Sequence, residues 1–179
     1  MRARTRRWAI PAIAMAIASL ALPASAATVK DPPRAIGPLD LKQLTANKHD
    51  AGAPLYVTIV TWETWPSRTL DISGQNRIFV HFNTDHSGGQ EFVGEVLFRD
   101  GALFMRIETA GGAFVSRLPA YHPEGDVLKV TIPRGLPNPE GHAWIAASER
   151  WVTASGPCAE PCHDRVPDRE RWLKVTPGL

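Results

Sequence analysis

Only two cysteines occur in the 179 residues, Cys158 and Cys162, and both sit in one short stretch, GPCAEPCHDRVPD, residues 156–168. The motifs of common catalytic chemistry are missing. There is no GxSxG elbow, no HExxH pair and no P-loop, and nothing in the spacing joins a serine to a histidine. A glycosidase pair is missing as well: Glu91 and Glu95 lie four apart on one strand, about 13 Å at ~3.3 Å per residue. A retaining pair needs ~5–5.5 Å and an inverting pair ~6.5–9.5 Å. Internal repeats and low-complexity tracts are absent, and beyond residue 26 no apolar run approaches the ~20 residues of a membrane helix. No catalytic residue is nominated, and the expectation is a protein that is not an enzyme.

A strong charge of one sign is lacking too. The chain carries 20 Lys+Arg against 18 Asp+Glu. Four of those arginines, Arg2, Arg4, Arg6 and Arg7, head residues 1–26, MRARTRRWAIPAIAMAIASLALPASA. A basic head, an apolar run from Trp8 to Leu22 and the small residues Ala24-Ser25-Ala26 are the pattern of a secretory signal peptide cleaved after Ala26. Pro11 interrupts the run and Pro23 ends it, which argues against an uncleaved anchor. Thr5-Arg6-Arg7 hints at twin-arginine export, but Trp8-Ala9-Ile10 continues it poorly. The remaining 153 residues lose four arginines and no acid, so their formal charge is −2. The basic character leaves with the signal, and with it any electrostatic case for nucleic acid or an anionic membrane. The expected location is secreted, and 153 residues suit one domain.

What is present is a series of short strands. Residues 27–38 read as a flexible leader and 39–179 as one domain. LYVTIVTW, Leu55 to Trp62, is β-branched and aromatic. In IFVHF, Ile78, Val80 and Phe82 share one face while Phe79 and His81 take the other. In EFVGEVLFRDGALFMRIE, Asp100-Gly101 between two apolar runs predicts a two-residue hairpin. Its register pairs residues whose numbers sum to 201, so Glu95 faces Arg106 in a structural ion pair of modest energy. Met105 falls beside Val96 as ordinary core, which is preferred over haem ligation. Leu97 and Phe104 are neighbours on the other face. AFVSRL, VLKVTIP and AWIAASERW follow at similar intervals, and RWLKV adds a last edge strand. The pattern predicts an all-β fold, a single antiparallel β-sandwich of jelly-roll-like form with little or no helix.

The order of strand endings also carries a resemblance. HFNTD (His81 to Asp85), the hairpin QEFVGEVLFRDGALF, VTIPRGLPNP (Val130 to Pro139) and WIAASERW together resemble secreted bacterial DOMON-like sandwich domains, akin to family-9 carbohydrate-binding modules, over about residues 39–155. The resemblance implies a jelly-roll-like fold and non-catalytic binding of sugars or, in some relatives, haem. The aromatic clamp of the sugar-binding relatives has no position-by-position match.

Candidate sites follow from chemistry. Trp62 and Trp65 in TWETWP offer indole faces that suit a pyranose, and the competing reading packs one in the core and lays the other over the end of the fold. Asn83, Asp85 and Glu91 supply oxygen ligands for Ca²⁺, although their spacing matches no dedicated calcium loop and a solvated turn is preferred. Export and an even cysteine count favour a Cys158–Cys162 disulfide pinning the loop 156–168. Structural zinc would find only Cys158, Cys162 and His163, with Asp164 or Asp168 as a poor fourth, and a redox dithiol usually has two intervening residues. His163, Asp164 and Asp168 are then solvated. The leading functional expectation is a secreted binding module for carbohydrate or another cell-surface ligand. The alternative is a structural or interaction protein working through a patch of Phe79, Leu97 and Phe104, and a glycan-active hydrolase stands third. Oligomeric state is open.

Overall fold

The computed structural model describes residues 25–33, 37–50, 52–84, 89–136, 143–151, 162–168 and 171–176. Eleven strands follow one another among the described residues: β1 Ser25–Lys30, β2 Leu41–Lys48, β3 Leu55–Thr61, β4 Arg77–Asn83, β5 Phe92–Arg99, β6 Ala102–Thr109, β7 Phe114–Glu124, β8 Val127–Ile132, β9 Ala143–Trp151, β10 Cys162–Val166 and β11 Leu173–Val175. One short 3-10 helix, Ser67–Leu70, is the only helical element among the described residues.

All eleven strands join in one antiparallel sheet, in the order β1-β2-β3-β8-β7-β6-β5-β4-β9-β10, with β11 also on β9. The sheet curls until its ends meet: β1 packs on β11, and β2 packs on β10. The result is a nearly closed, barrel-like sheet. Two separate layers were expected. They are instead continuous through β7, whose first half pairs with β6 and whose second half pairs with β8. A register irregularity in each pairing lets this 11-residue strand bend from one side of the barrel to the other.

Alternation builds the interior. Ile78, Val80 and Phe82 of β4 are buried, as are Leu55, Val57 and Ile59 of β3 and Leu128, Val130 and Ile132 of β8. The β5–β6 hairpin pairs Phe98 with Leu103, Val96 with Met105 and Glu95 with Arg106. Its turn places both Asp100 (φ 53°) and Gly101 (φ 80°) in the left-handed region, which favours glycine and tolerates aspartate. Met105 is fully buried core and lies over Gly94, where an added Cβ would come within 2.5 Å of the methionine sulfur.

Two segments differ from expectation. The leader, residues 27–38, contributes most of β1, which runs along β2 from Ser25↔Lys48 to Lys30↔Gln43. The expected cleavage point after Ala26 therefore falls inside a strand. The loop 156–168 likewise contributes β10, paired with β9 from Cys162↔Trp151 to Val166↔Ala147. Both segments line the seam of the barrel, where pairing is set by closure of the whole sheet rather than by local alternation. Residues 1–24, Cys158 and the side chain of Cys162 lie outside the described residues, as does the disulfide expected there. No helix among the described residues is long and apolar enough to cross a membrane.

Candidate functional site

Two outward faces and one interior cluster carry the polar chemistry. The first face covers β1, β2, β3, β8 and the end of β7. Its register aligns Thr28, Thr45, Thr58, Lys129 and Tyr121 in one row across five strands. The next row holds Asn47, Tyr56 and Thr131, and the row on the other side holds Lys30, Gln43, Val60 and Val127. The threonines are linked: Thr28 Oγ1 lies 3.1 Å from Thr45 Oγ1, and Gln43 Nε2 donates to Thr45 Oγ1 at 3.0 Å. Tyr56 is 49% exposed and Tyr121 is 57% exposed. Just past β3, Trp62 continues the outward alternation at 39% exposure, with Lys42 Nζ 5.0 Å from its ring centroid. Flat rings among hydroxyl, amide and ammonium groups suit a sugar chain, whose apolar ring faces stack while its hydroxyls hydrogen-bond.

The two tryptophans of TWETWP take different roles. Trp65 is buried, its Nε1–H donates to Thr61 Oγ1 at 3.1 Å, and its ring stacks on His122 at 3.9 Å and 19°. The backbone around it is pinned as well: Trp65 N–H donates to Gly125 O at 2.7 Å and Thr61 N–H to Asp126 O at 2.9 Å. His122 lies within hydrogen-bond distance of Ser67 Oγ and Gly125 O, and burial lowers its pKa below the usual histidine range, with the Gly125 contact and Asp126 opposing. Trp65 therefore anchors the loop that leaves Trp62 outside, and it has no free ring face for a ligand.

The second face, over β4, β5, β6 and the start of β7, pairs its charges internally and leaves Phe114 exposed at its edge. Arg77 Nε bonds Glu95 Oε1 at 2.7 Å, Arg106 Nη2 bonds Glu95 Oε2 at 2.8 Å, and Arg106 Nε lies 3.2 Å from Glu108 Oε1. Arg117 lies flat over Phe104, 3.7 Å from its centroid. Leu97 and Phe104 are buried and Phe79 is half-buried, so they form no exposed apolar patch. The depression beside them, of about 300 Å³, is lined by Leu103, Phe104, Leu118, Pro119, Ala102 and Arg117. His81 is held between Gln90 Oε1 and Ser148 Oγ, 2.6 Å from each. Burial lowers its pKa and Arg165 adds to the effect, against the opposing bond to Gln90.

The interior cluster lies at the seam. Asp164, expected in solvent, is buried on β10 and accepts the Leu41 N–H at 3.2 Å, tying β10 to β2. Directly opposite it on β9 is Glu149, 1% exposed, with neither carboxyl oxygen hydrogen-bonded. Burial, followed by the charges of Asp164 and Asp40, pushes the Glu149 pKa up to about 8, so the group is neutral at pH 7. Of the other candidates in the cysteine stretch, His163 is exposed and Asp168 is half-buried. Parity along β9 carried the signal for Glu149: Ile145, Ala147 and Glu149 share the inward side.

Of the calcium candidates, Asn83 is buried, Glu91 Oε2 accepts the Thr84 N–H at 2.7 Å and also the Thr84 hydroxyl, and Asp85 lies outside the described residues. Among the described residues, no group of three or more His, Cys, Asp or Glu side chains is placed to hold a metal ion.

No protein-family model matches this chain, and no curated protein or solved structure matches it.

Proposed function

We propose that the chain is an exported, non-catalytic binding module that holds a carbohydrate chain on the outward face of β1, β2, β3, β8 and β7. The observation that carries the reading is the exposure of Tyr56, Trp62 and Tyr121 on one face, with threonine and amide side chains between them. Aromatic rings are costly to leave in water without a partner, and here no side chain covers more than part of them. The same reading follows from the resemblance of the strand endings to sugar-binding jelly-roll domains. Such a domain presents its ligand face on a rigid sheet, and the barrel supplies that rigidity beneath the face.

Binding of the protein to an array of soluble polysaccharides tests the reading. Tyr56→Ala, Trp62→Ala and Tyr121→Ala are each expected to weaken binding by about tenfold, the cost of one lost stacking contact. Binding indifferent to all three substitutions, or binding to no glycan, contradicts it.

A further inference from the structure

The charges on the proposed binding face narrow the class of sugar. Lys30, Lys42 and Lys129 stand on it, and no carboxylate points outward from β1, β2, β3 or β8. Glu124, at the end of β7 opposite Val127, is exposed at the edge of the face, and Glu63 and Asp126 lie in the turns beside Trp62. Lys129 is flanked in its row by the Thr58 hydroxyl and the Tyr121 ring. Lys42 projects over Trp62. Among the described residues none of the three lysines forms an ion pair. Lys30 and Lys129 are three strands apart, which is about 15 Å at ~4.8 Å per strand. Lys42 and Lys129 thus stand beside a ring or a hydroxyl and Lys30 beside the Gln43 amide, in an arrangement that pairs a sugar ring with a negative group carried on it.

We propose that the ligand is an anionic polysaccharide, a polymer of uronic acid units, whose carboxylates meet Lys30, Lys42 and Lys129 while its rings stack on Tyr56, Trp62 and Tyr121. The proposal rests on the carbohydrate reading above and goes further by naming the charge of the ligand. A membrane surface or a nucleic acid would use the lysines equally well. The threonine hydroxyls and the Gln43 amide between the rings suit the hydroxyls of a sugar chain, and the protein without residues 1–26 has a formal charge of −2, which disfavours attraction by charge alone.

Titration calorimetry with the full protein tests this, using polygalacturonate, a neutral soluble β-glucan, double-stranded DNA and phosphatidylglycerol vesicles as probes. The expected result is binding to polygalacturonate that weakens steadily with added salt. The double substitution Lys30→Gln with Lys129→Gln should lower that affinity by about tenfold, at the upper end of what two exposed charges contribute. Its circular dichroism and melting temperature should stay those of the parent. Equal affinity for the neutral glucan, or no effect of the double substitution, overturns the anionic class and leaves the carbohydrate reading standing. Binding to neither polysaccharide overturns both. Affinity for DNA or vesicles as high as for polygalacturonate also overturns the proposal, because charge alone would then account for binding.

Discussion

The two outward faces of this one sheet handle charge in opposite ways. Over β4, β5 and β6, arginines and glutamates satisfy each other: Glu95 bridges Arg77 and Arg106, and Arg106 reaches Glu108. The Phe104 ring there is covered by the Arg117 guanidinium, while Phe114 at the start of β7 stays exposed. Over β1, β2, β3 and β8, Lys30, Lys42 and Lys129 form no ion pair among the described residues, and the Tyr56, Trp62 and Tyr121 rings are exposed. The face over β4, β5 and β6 pairs its charges internally, and the face over β1, β2, β3 and β8 leaves lysines and aromatic rings open to solvent. The distinction lies in pairing rather than in composition, since both faces are rich in cations.

The largest expected effect contrasts the two tryptophans beside the open face. Trp65→Ala removes a buried ring together with its hydrogen bond, and it should cost about 3–5 kcal/mol of stability in chemical denaturation. Trp62→Ala should leave stability within about 0.5 kcal/mol of the parent while weakening polysaccharide binding. A large stability loss at both positions would erase the division between anchor and platform.

The next effect lies at the seam, where charge is neither paired nor offered but neutralised. Glu149 has its ordinary pKa near 4.5 in the unfolded chain and about 8 in the folded one. Between these values the folded state holds a proton that the unfolded state has lost. The stabilisation is therefore fully present below about 4.5 and is lost as pH rises through about 8. Glu149→Gln should match the parent near pH 5 and exceed it near pH 9, by a few kcal/mol at most. Melting curves across that range give the answer, and parallel pH profiles for the two proteins would contradict the buried neutral acid.

A smaller effect tests the closed face. Glu95→Ala leaves Arg77 and Arg106 without their shared acceptor and should cost about 1–3 kcal/mol, less at high salt, with polysaccharide affinity unchanged. The smallest belongs to the open face: Lys129→Gln should change the melting temperature hardly at all, since it has no ion-pair partner to lose. A melting temperature that falls more for Lys129→Gln than for Glu95→Ala would invert the comparison.

Much of the barrel was legible in the sequence, because regular alternation marks a strand with one buried side. Ile78-Val80-Phe82 and Val57-Ile59 announce their inward faces, and Asp100-Gly101 dictates a hairpin register. The seam was not legible. β10 reads CHDRV, with Asp164 as an inward residue, and no local pattern predicts that an acid will face the core. β1 lies where cleavage and a leader were expected, and its pairing depends on β2 across the intervening residues. Trp62 and Trp65 are indistinguishable in sequence, since their separation depends on where Gly125 and Thr61 hold the loop. The polar rows of the open face emerge only when strands far apart in the chain are placed side by side, as Thr28, Thr58 and Lys129 are.

The most direct test follows the tryptophan indole N–H signals and the backbone amides by nuclear magnetic resonance during titration with polygalacturonate. The expected result is movement of the Trp62 indole signal and of the amides of Tyr56, Thr58, Lys129 and Tyr121, with the Trp65 indole, bonded to Thr61, unmoved. Shifts confined to the Arg77–Glu95–Arg106 face, or no shifts at saturating polysaccharide, would contradict the assignment of the open face as the binding site.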